Sequence, residues 1–185
     1  MVVITAPDSR PVQKDDIKIF LAGSITGTRD WQSEVLNELE ACRLDDRVKI
    51  FNPRRKDFNP DATLKEVVEQ IEWEFNWLNN MDIFTMYFAA SETSTSPICM
   101  YELGRHLEKM QHRFPRDWRH RILINAEDGY SRVNDVAIQT ALAIGPGYAL
   151  YDTHPKEYAH MIAKMARTCR MRRQIQSREM GRSFG

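Results

Sequence analysis

Five short apolar runs, most of them followed by a stretch with helical spacing, constrain this chain more than any other feature. Ile17-Lys18-Ile19-Phe20-Leu21-Ala22, Val48-Lys49-Ile50-Phe51, Ile83-Phe84-Thr85-Met86-Tyr87-Phe88, Arg121-Ile122-Leu123-Ile124-Asn125-Ala126 and Tyr148-Ala149-Leu150-Tyr151 have the length and residue types of buried strands. Between them the spacing turns helical. Residues 30–43 put Trp31, Val35, Leu39 and Cys42 on one face. Residues 63–81 carry Leu64, Val67, Val68, Ile71, Phe75 and Leu78 as a stripe expected to be buried, opened by a Thr63/Glu66 capping box. A helix starts after Ser96-Pro97. Another is capped by Asn134 or Asp135 and stopped by Gly145-Pro146-Gly147. A last one runs from Pro155 with Tyr158, Met161, Ile162, Met165 and Cys169 on one face. Strand and helix in alternation predict an α/β fold, a parallel sheet covered on both faces. Crossovers are then right-handed, and a ligand site lies at the strands' C-terminal ends.

At 185 residues this is one domain, expected over residues 17–169. Residues 1–16, with Pro7 and Pro11, read as a mobile or loosely docked arm. Residues 170–185 are Arg-rich and poor in apolar side chains, and read as a disordered tail or one that docks on a partner. The loop from Arg55 to Thr63 carries Pro60 and no periodicity. The formal net charge is +0, so the chain as a whole has no electrostatic preference for nucleic acid or a membrane surface. Its three cysteines are odd in number and widely spaced, which argues against a disulfide framework or a zinc site and for a reducing compartment. No basic leader precedes an apolar run, and no apolar stretch is long enough to span a bilayer. A cytoplasmic protein is expected, with neither cofactor nor metal.

Several polar residues fall at the expected ligand edge. Gly23-Ser24-Ile25-Thr26-Gly27-Thr28 follows the first strand, and such a small-residue loop can cradle phosphate or sugar oxygens. It lacks the lysine of a P-loop and the full dinucleotide fingerprint, so an ordinary strand–helix turn is the competing reading. Asn52 ends the second strand. Arg54 and Arg55 either contact an anion or form a solvated basic turn. Ser96 is placed as a helix N-cap with Pro97 at the first helical position, where amide groups and the helix dipole favour an anion. Glu102 lies in the second turn of that helix. It is either a half-buried carboxylate or a surface residue paired with Arg105 or His106. Glu74 stands beside the long helix's apolar stripe, near Trp73 and Trp77, and on pattern alone reads as a rim residue.

Taken together, Phe20 to Gly27, Asp30-Trp31-Gln32, Asn52-Pro53-Arg54-Arg55, Glu69-Gln70-Ile71-Glu72-Trp73-Glu74 and Ser96-Pro97 through Tyr101-Glu102-Leu103-Gly104 resemble the nucleoside 2-deoxyribosyltransferase superfamily. The closest branch is the deoxyribosyltransferase-like one, related to the 2'-deoxynucleoside 5'-monophosphate N-glycosidases. The resemblance covers about residues 17 to 145. It implies a flavodoxin/Rossmann-like three-layer sandwich with a mostly parallel five-stranded sheet. It also implies cleavage of an N-glycosidic bond, with Glu102 as nucleophile and Glu74 handling the proton of the base. Gly23, Ser24, Ile25, Gly27, Asn52 and Ser96 are the implied substrate contacts. The partners implied are a nucleoside or nucleotide, a free nucleobase and further copies of the chain, because members assemble so that a neighbour closes the site.

Three departures stand out. The family usually has Asp where Glu74 stands. Transferases carry a Tyr on the first strand, where this chain has Phe20. They also carry an Asp six residues before the nucleophile, where this chain has Ser96. A neutral Ser at a helix start suits a phosphate better than a carboxylate does. Transfer to a second base, hydrolysis of the monophosphate, and nucleotide binding without chemistry are the three functions to separate.

Overall fold

The computed structural model of the protein describes residues 1–55, 62–145, 147, 148 and 150–182. The aperiodic loop around Pro60 and part of the Gly145-Pro146-Gly147 stop lie outside the described residues. In chain order the elements are β1 (Val2–Thr5), β2 (Ile17–Gly23), α1 (Trp31–Ala41), β3 (Val48–Asn52), α2 (Leu64–Asn80) and β4 (Ile83–Phe88). There follow α3 (Pro97–Arg113), a short 3-10 turn at Trp118–Arg121, β5 (Ile122–Ala126), α4 (Val133–Ile144) and α5 (Pro155–Arg182).

The five strands form one sheet in the order β1-β3-β2-β4-β5, and every pairing is parallel. Alternation along β2 builds both faces of the core. Phe20 and Ala22 face one layer, with Trp73, Leu78, Leu103, Leu107 and Met110 from α2 and α3. Ile17, Ile19 and Leu21 face the other, with Trp31, Val35, Leu39, Tyr158 and Ile162 from α1 and α5. This is a three-layer, Rossmann-like α/β sandwich. From β2 the chain moves outward to β3, then returns across β2 to β4. The sheet therefore reverses direction between β2 and β4, and a crevice opens there at the carboxyl ends.

Three sequence-based readings are corrected. The segment read as an N-terminal arm supplies the fifth strand: Val2–Thr5 pair with Lys49–Asn52 of β3, and Ile4 is fully buried. Among its described residues, the run ending at Tyr151 makes an isolated bridge to Asn125 and no strand. The Arg-rich tail, at least through Arg182, continues α5, and its first turns are bound to the body. Arg170 pairs with Asp45, Arg172 with Asp117 and Arg173 with Asp82.

The α2 stripe is also not the buried face. Leu64 is 80% exposed and Ile71 58%, with Val67, Val68 and Phe75 exposed as well. Of that stripe only Leu78 is buried, together with Trp73. Trp73 is anchored by its Nε1–H to the Asp8 carbonyl at 2.7 Å. The Thr63/Glu66 capping box is present. Helix α4 begins at Val133, one residue before the expected caps, with no side-chain cap.

Candidate active site

The β2–α1 turn is shaped by close approach. Gly23 has φ +150°, and a Cβ there would collide with the Tyr87 carbonyl oxygen and press on the Trp31 ring. Ser24 follows. Its N–H donates to the Tyr87 carbonyl at 3.0 Å, and its own carbonyl accepts from Trp31 Nε1 at 2.7 Å. The turn is thus bolted to β4 and to the first residue of α1. Arg54 holds the outer part of the loop, donating to the carbonyls of Ile25 and Arg29, to Thr28 Oγ1 and to Gln32 Oε1. It is a clamp on the loop, neither of the two roles read for it from sequence.

Ser96 precedes α3, as its sequence predicts, but does not cap it. It sits at φ 50°, ψ 54°, a left-handed conformation that a non-glycine residue before proline adopts at a cost. Its hydroxyl is turned away from the helix and shares a 2.7 Å hydrogen bond with Ser24 Oγ. The first turn of α3 is left without a side-chain cap, so its amides stay available to a ligand.

Glu102, one turn further on, and Glu74 of α2 line the same cavity, of about 190 Å³. Its other polar walls are Ser24 and Ser96, and its apolar walls include Phe20, Ile98 and Cys99. Burial pushes the Glu102 carboxyl up to about 7, the neighbouring Glu74 charge adds to the rise, and Arg105 opposes it. Burial also raises Glu74, against a hydrogen bond from Gln70 and the charge of Arg55. Two desolvated carboxylates in one pocket disfavour ionising together. Among the described residues the Glu102 carboxylate receives no hydrogen bond. Phe20, 2% exposed with its ring 5.7 Å from Trp73, brings it no hydroxyl.

Of the residues expected at the site, Gly23, Ser24, Ile25, Glu74, Ser96 and Glu102 come together around this cavity. Gly27 and Asn52 stand outside its lining. Gly27, at φ +71°, is packed against Thr93. Asn52 is buried, with its Oδ1 accepting from the Arg54 amide in a tight turn. Sequence reading missed Pro53, Cys99 and the role of Gln70. The signal for Gln70 was its position four residues before Glu74 on one helix, which puts the two side chains in reach. Among the described residues no group of three His, Cys, Asp or Glu is placed to hold a metal ion. No helix among them is long and apolar enough to cross a membrane.

A wider cleft, of about 960 Å³, opens elsewhere beside Arg29, Glu127 and His154. Its central carboxylate is saturated: Glu127 accepts from Arg29 and Tyr87 at 2.6 Å and from the Ala90 amide at 2.7 Å. The smaller cavity is the better candidate because its carboxylates are desolvated without being neutralised.

A family model described as nucleoside 2-deoxyribosyltransferase like matches residues 16–114, just over half of the chain. No curated protein gives a match. The matched span runs from the start of β2 to the end of α3. It therefore contains every residue that lines the cavity.

Proposed function

The chain belongs to the nucleoside 2-deoxyribosyltransferase-like family, and from that premise we propose that it cleaves the N-glycosidic bond of a 2'-deoxynucleoside or its 5'-monophosphate. The observation that carries the reading is the shared cavity of Glu74 and Glu102 at the reversal point of the sheet. A Glu102 carboxylate oxygen attacks C1'. The C1'–N bond breaks, its electron pair stays on the base nitrogen, and Glu74 supplies a proton to the departing base. The sugar is left as an ester of Glu102. A second base then attacks C1', releases Glu102 and returns its proton to Glu74. Splitting one displacement into two through a carboxylate is the logic of retaining glycoside chemistry. Water in place of the second base makes the same site a hydrolase.

The chemistry needs Glu102 ionised and Glu74 protonated, and two half-buried neighbouring carboxyls disfavour ionising together. The Ser24–Ser96 hydroxyl pair and the uncapped start of α3 support a 5'-phosphate at the other end of the cavity. Among the described residues that line that end of the cavity, none is a carboxylate. The test is to incubate the protein with a panel of 2'-deoxynucleosides and their 5'-monophosphates, with and without a free base, and to identify the products by chromatography. Release of base from a monophosphate is expected. A protein that releases no base from any of them does not have this function.

An assembly of several copies is the companion proposal. Leu64, Val67, Val68, Ile71 and Phe75 expose one continuous apolar stripe on α2. Ile98 and Tyr101 expose apolar surface on α3, where Ile98 also lines the cavity. Patches of this kind on a water-exposed face mark interaction surfaces. Light scattering should find an oligomer, and Ile71→Asp should dissociate it.

A further inference from the structure

The Gln70 amide has a fixed orientation. Its Nε2 donates to the Pro53 carbonyl at 3.0 Å and to Glu74 Oε1 at 2.5 Å, and its Oε1 accepts from Arg55 Nε at 2.5 Å. A backbone carbonyl accepts only and a guanidinium donates only, so the amide cannot be flipped without losing both. Both hydrogens of Nε2 are thereby used. The two bonds join Arg55, Gln70 and Glu74 into one chain running from the end of β3 into the cavity. Arg55 Nη2 is buried with no hydrogen-bond partner among the described residues.

We propose that Gln70 is the positioning residue for Glu74: locked between Pro53 and Arg55, it ties up Oε1 and leaves Oε2 alone to exchange a proton with the base. This rests on the reaction proposed above. When Glu74 gives its proton to the departing base it becomes a largely desolvated carboxylate, and that charge needs support as it develops. Gln70 supplies a hydrogen bond already in place, with the Arg55 charge behind it. Among the described residues, the groups facing Glu74 are Gln70 on its own helix, Arg55 from the β3 end, and Glu102 and Cys99 from α3. Of these, Gln70 and Arg55 favour the ionised form of Glu74. Glu102, when charged, opposes it. The buried Cys99 thiol is pushed up to about 12 and so carries no charge at neutral pH.

The experiment follows the Glu74 carboxyl directly, by titrating ¹³C-glutamate-labelled protein by NMR in the wild type, Gln70→Leu and Gln70→Glu. Glu74→Gln assigns the resonance. Removing the donor should move the Glu74 titration to higher pH in both variants. Gln70→Glu, which keeps the side-chain volume and the acceptor for Arg55, should move it further. Turnover should fall about 10- to 100-fold, the size expected of one hydrogen bond to a charge, with little change in KM. In a Glu74→Gln background, Gln70→Leu should cost nothing more. A Glu74 titration that stays in place overturns the proposal, as does a Gln70 loss that adds in full to that of Glu74→Gln. A titration that moves in a protein cleaving no deoxynucleotide keeps the positioning and discards the reaction.

Discussion

The two ends of the sheet both hold desolvated carboxylates and treat them in opposite ways. At the amino ends of the strands, Asp82 is 1% exposed and Asp16 fully buried. Asp82 accepts from the Lys18 amide at 2.9 Å, has Lys18 Nζ at 3.4 Å and Arg113 at 3.9 Å, and is bound by Arg173 of α5. Asp16 accepts from the Gln13 amide, with Arg47 at 3.5 Å and Lys49 at 3.8 Å. At the carboxyl ends, Glu102 has no hydrogen-bond donor among the described residues, and Glu74 has one, Gln70. Burying a charge costs free energy at either end. At the amino end surrounding cations offset that cost and the result is structural. At the carboxyl end the cost remains and appears as raised carboxyl pKa values.

The sharpest way to separate the ends is to remove a carboxylate from each. Glu102→Ala should lower cleavage by at least about 10³-fold, because no other group takes over a covalent step. Its melting temperature should not fall. Retention of wild-type turnover, measured by base release, would remove Glu102 from the mechanism. Asp82→Ala should instead leave Arg173 and Lys18 without their buried counter-charge. A loss of about 3–5 kcal/mol in urea denaturation is expected, with the cavity and its chemistry intact in whatever remains folded. A stability change below about 1 kcal/mol would show that the ring of cations around Asp82 is ornamental.

The contrast predicts a further result, of opposite sign. A folded-state pKa raised from 4.5 to about 7 means that the native protein holds a proton the unfolded chain releases. The Glu102 contribution to stability is then fully present below about pH 4.5 and is lost as pH rises through about 7. Glu102→Gln should therefore be more stable than the wild type at pH 8, by up to about 3 kcal/mol. The two should converge at pH 4. Denaturation midpoints that stay parallel across that range would show that Glu102 is not desolvated in solution. The smallest effect is expected at Ser96. Ser96→Asp adds a carboxylate where a phosphate is expected, and should shift preference toward the nucleoside by about 10-fold. An unchanged ratio of kcat/KM values for the two substrates would place the phosphate elsewhere.

Much of this site could be read from the chain before any coordinates. The Gly23-Ser24 turn, the Ser96-Pro97 helix start and Glu102 are local features. Each follows from a strand that ends and a helix that begins, and the parallel alternation sends all of them to one edge. Glu74 is different. Its pattern reads as a rim position, because a helical wheel shows which residues share a face but not what that face meets. The same limit explains α2. Its apolar stripe is real, yet the sheet takes the Trp73–Leu78 side and leaves Val67, Val68 and Ile71 to solvent.

By itself, then, the sequence determined the alternation of strands and helices from β2 to α4 and the parallel sheet, because these rest on short-range periodicity and on the handedness of crossovers. Only the tertiary structure decided three things. Val2–Thr5, too short to declare itself, became a strand because β3 offered it a free edge. The arginines of α5, which sequence alone reads as a tail, were drawn in because Asp82 and Asp117 are 91 and 55 residues away along the chain yet adjacent in space. Glu74 and Glu102 became a coupled pair because α2 and α3 pack on the same face of the sheet, beside the point where it reverses. Each depends on long-range packing that no local pattern encodes.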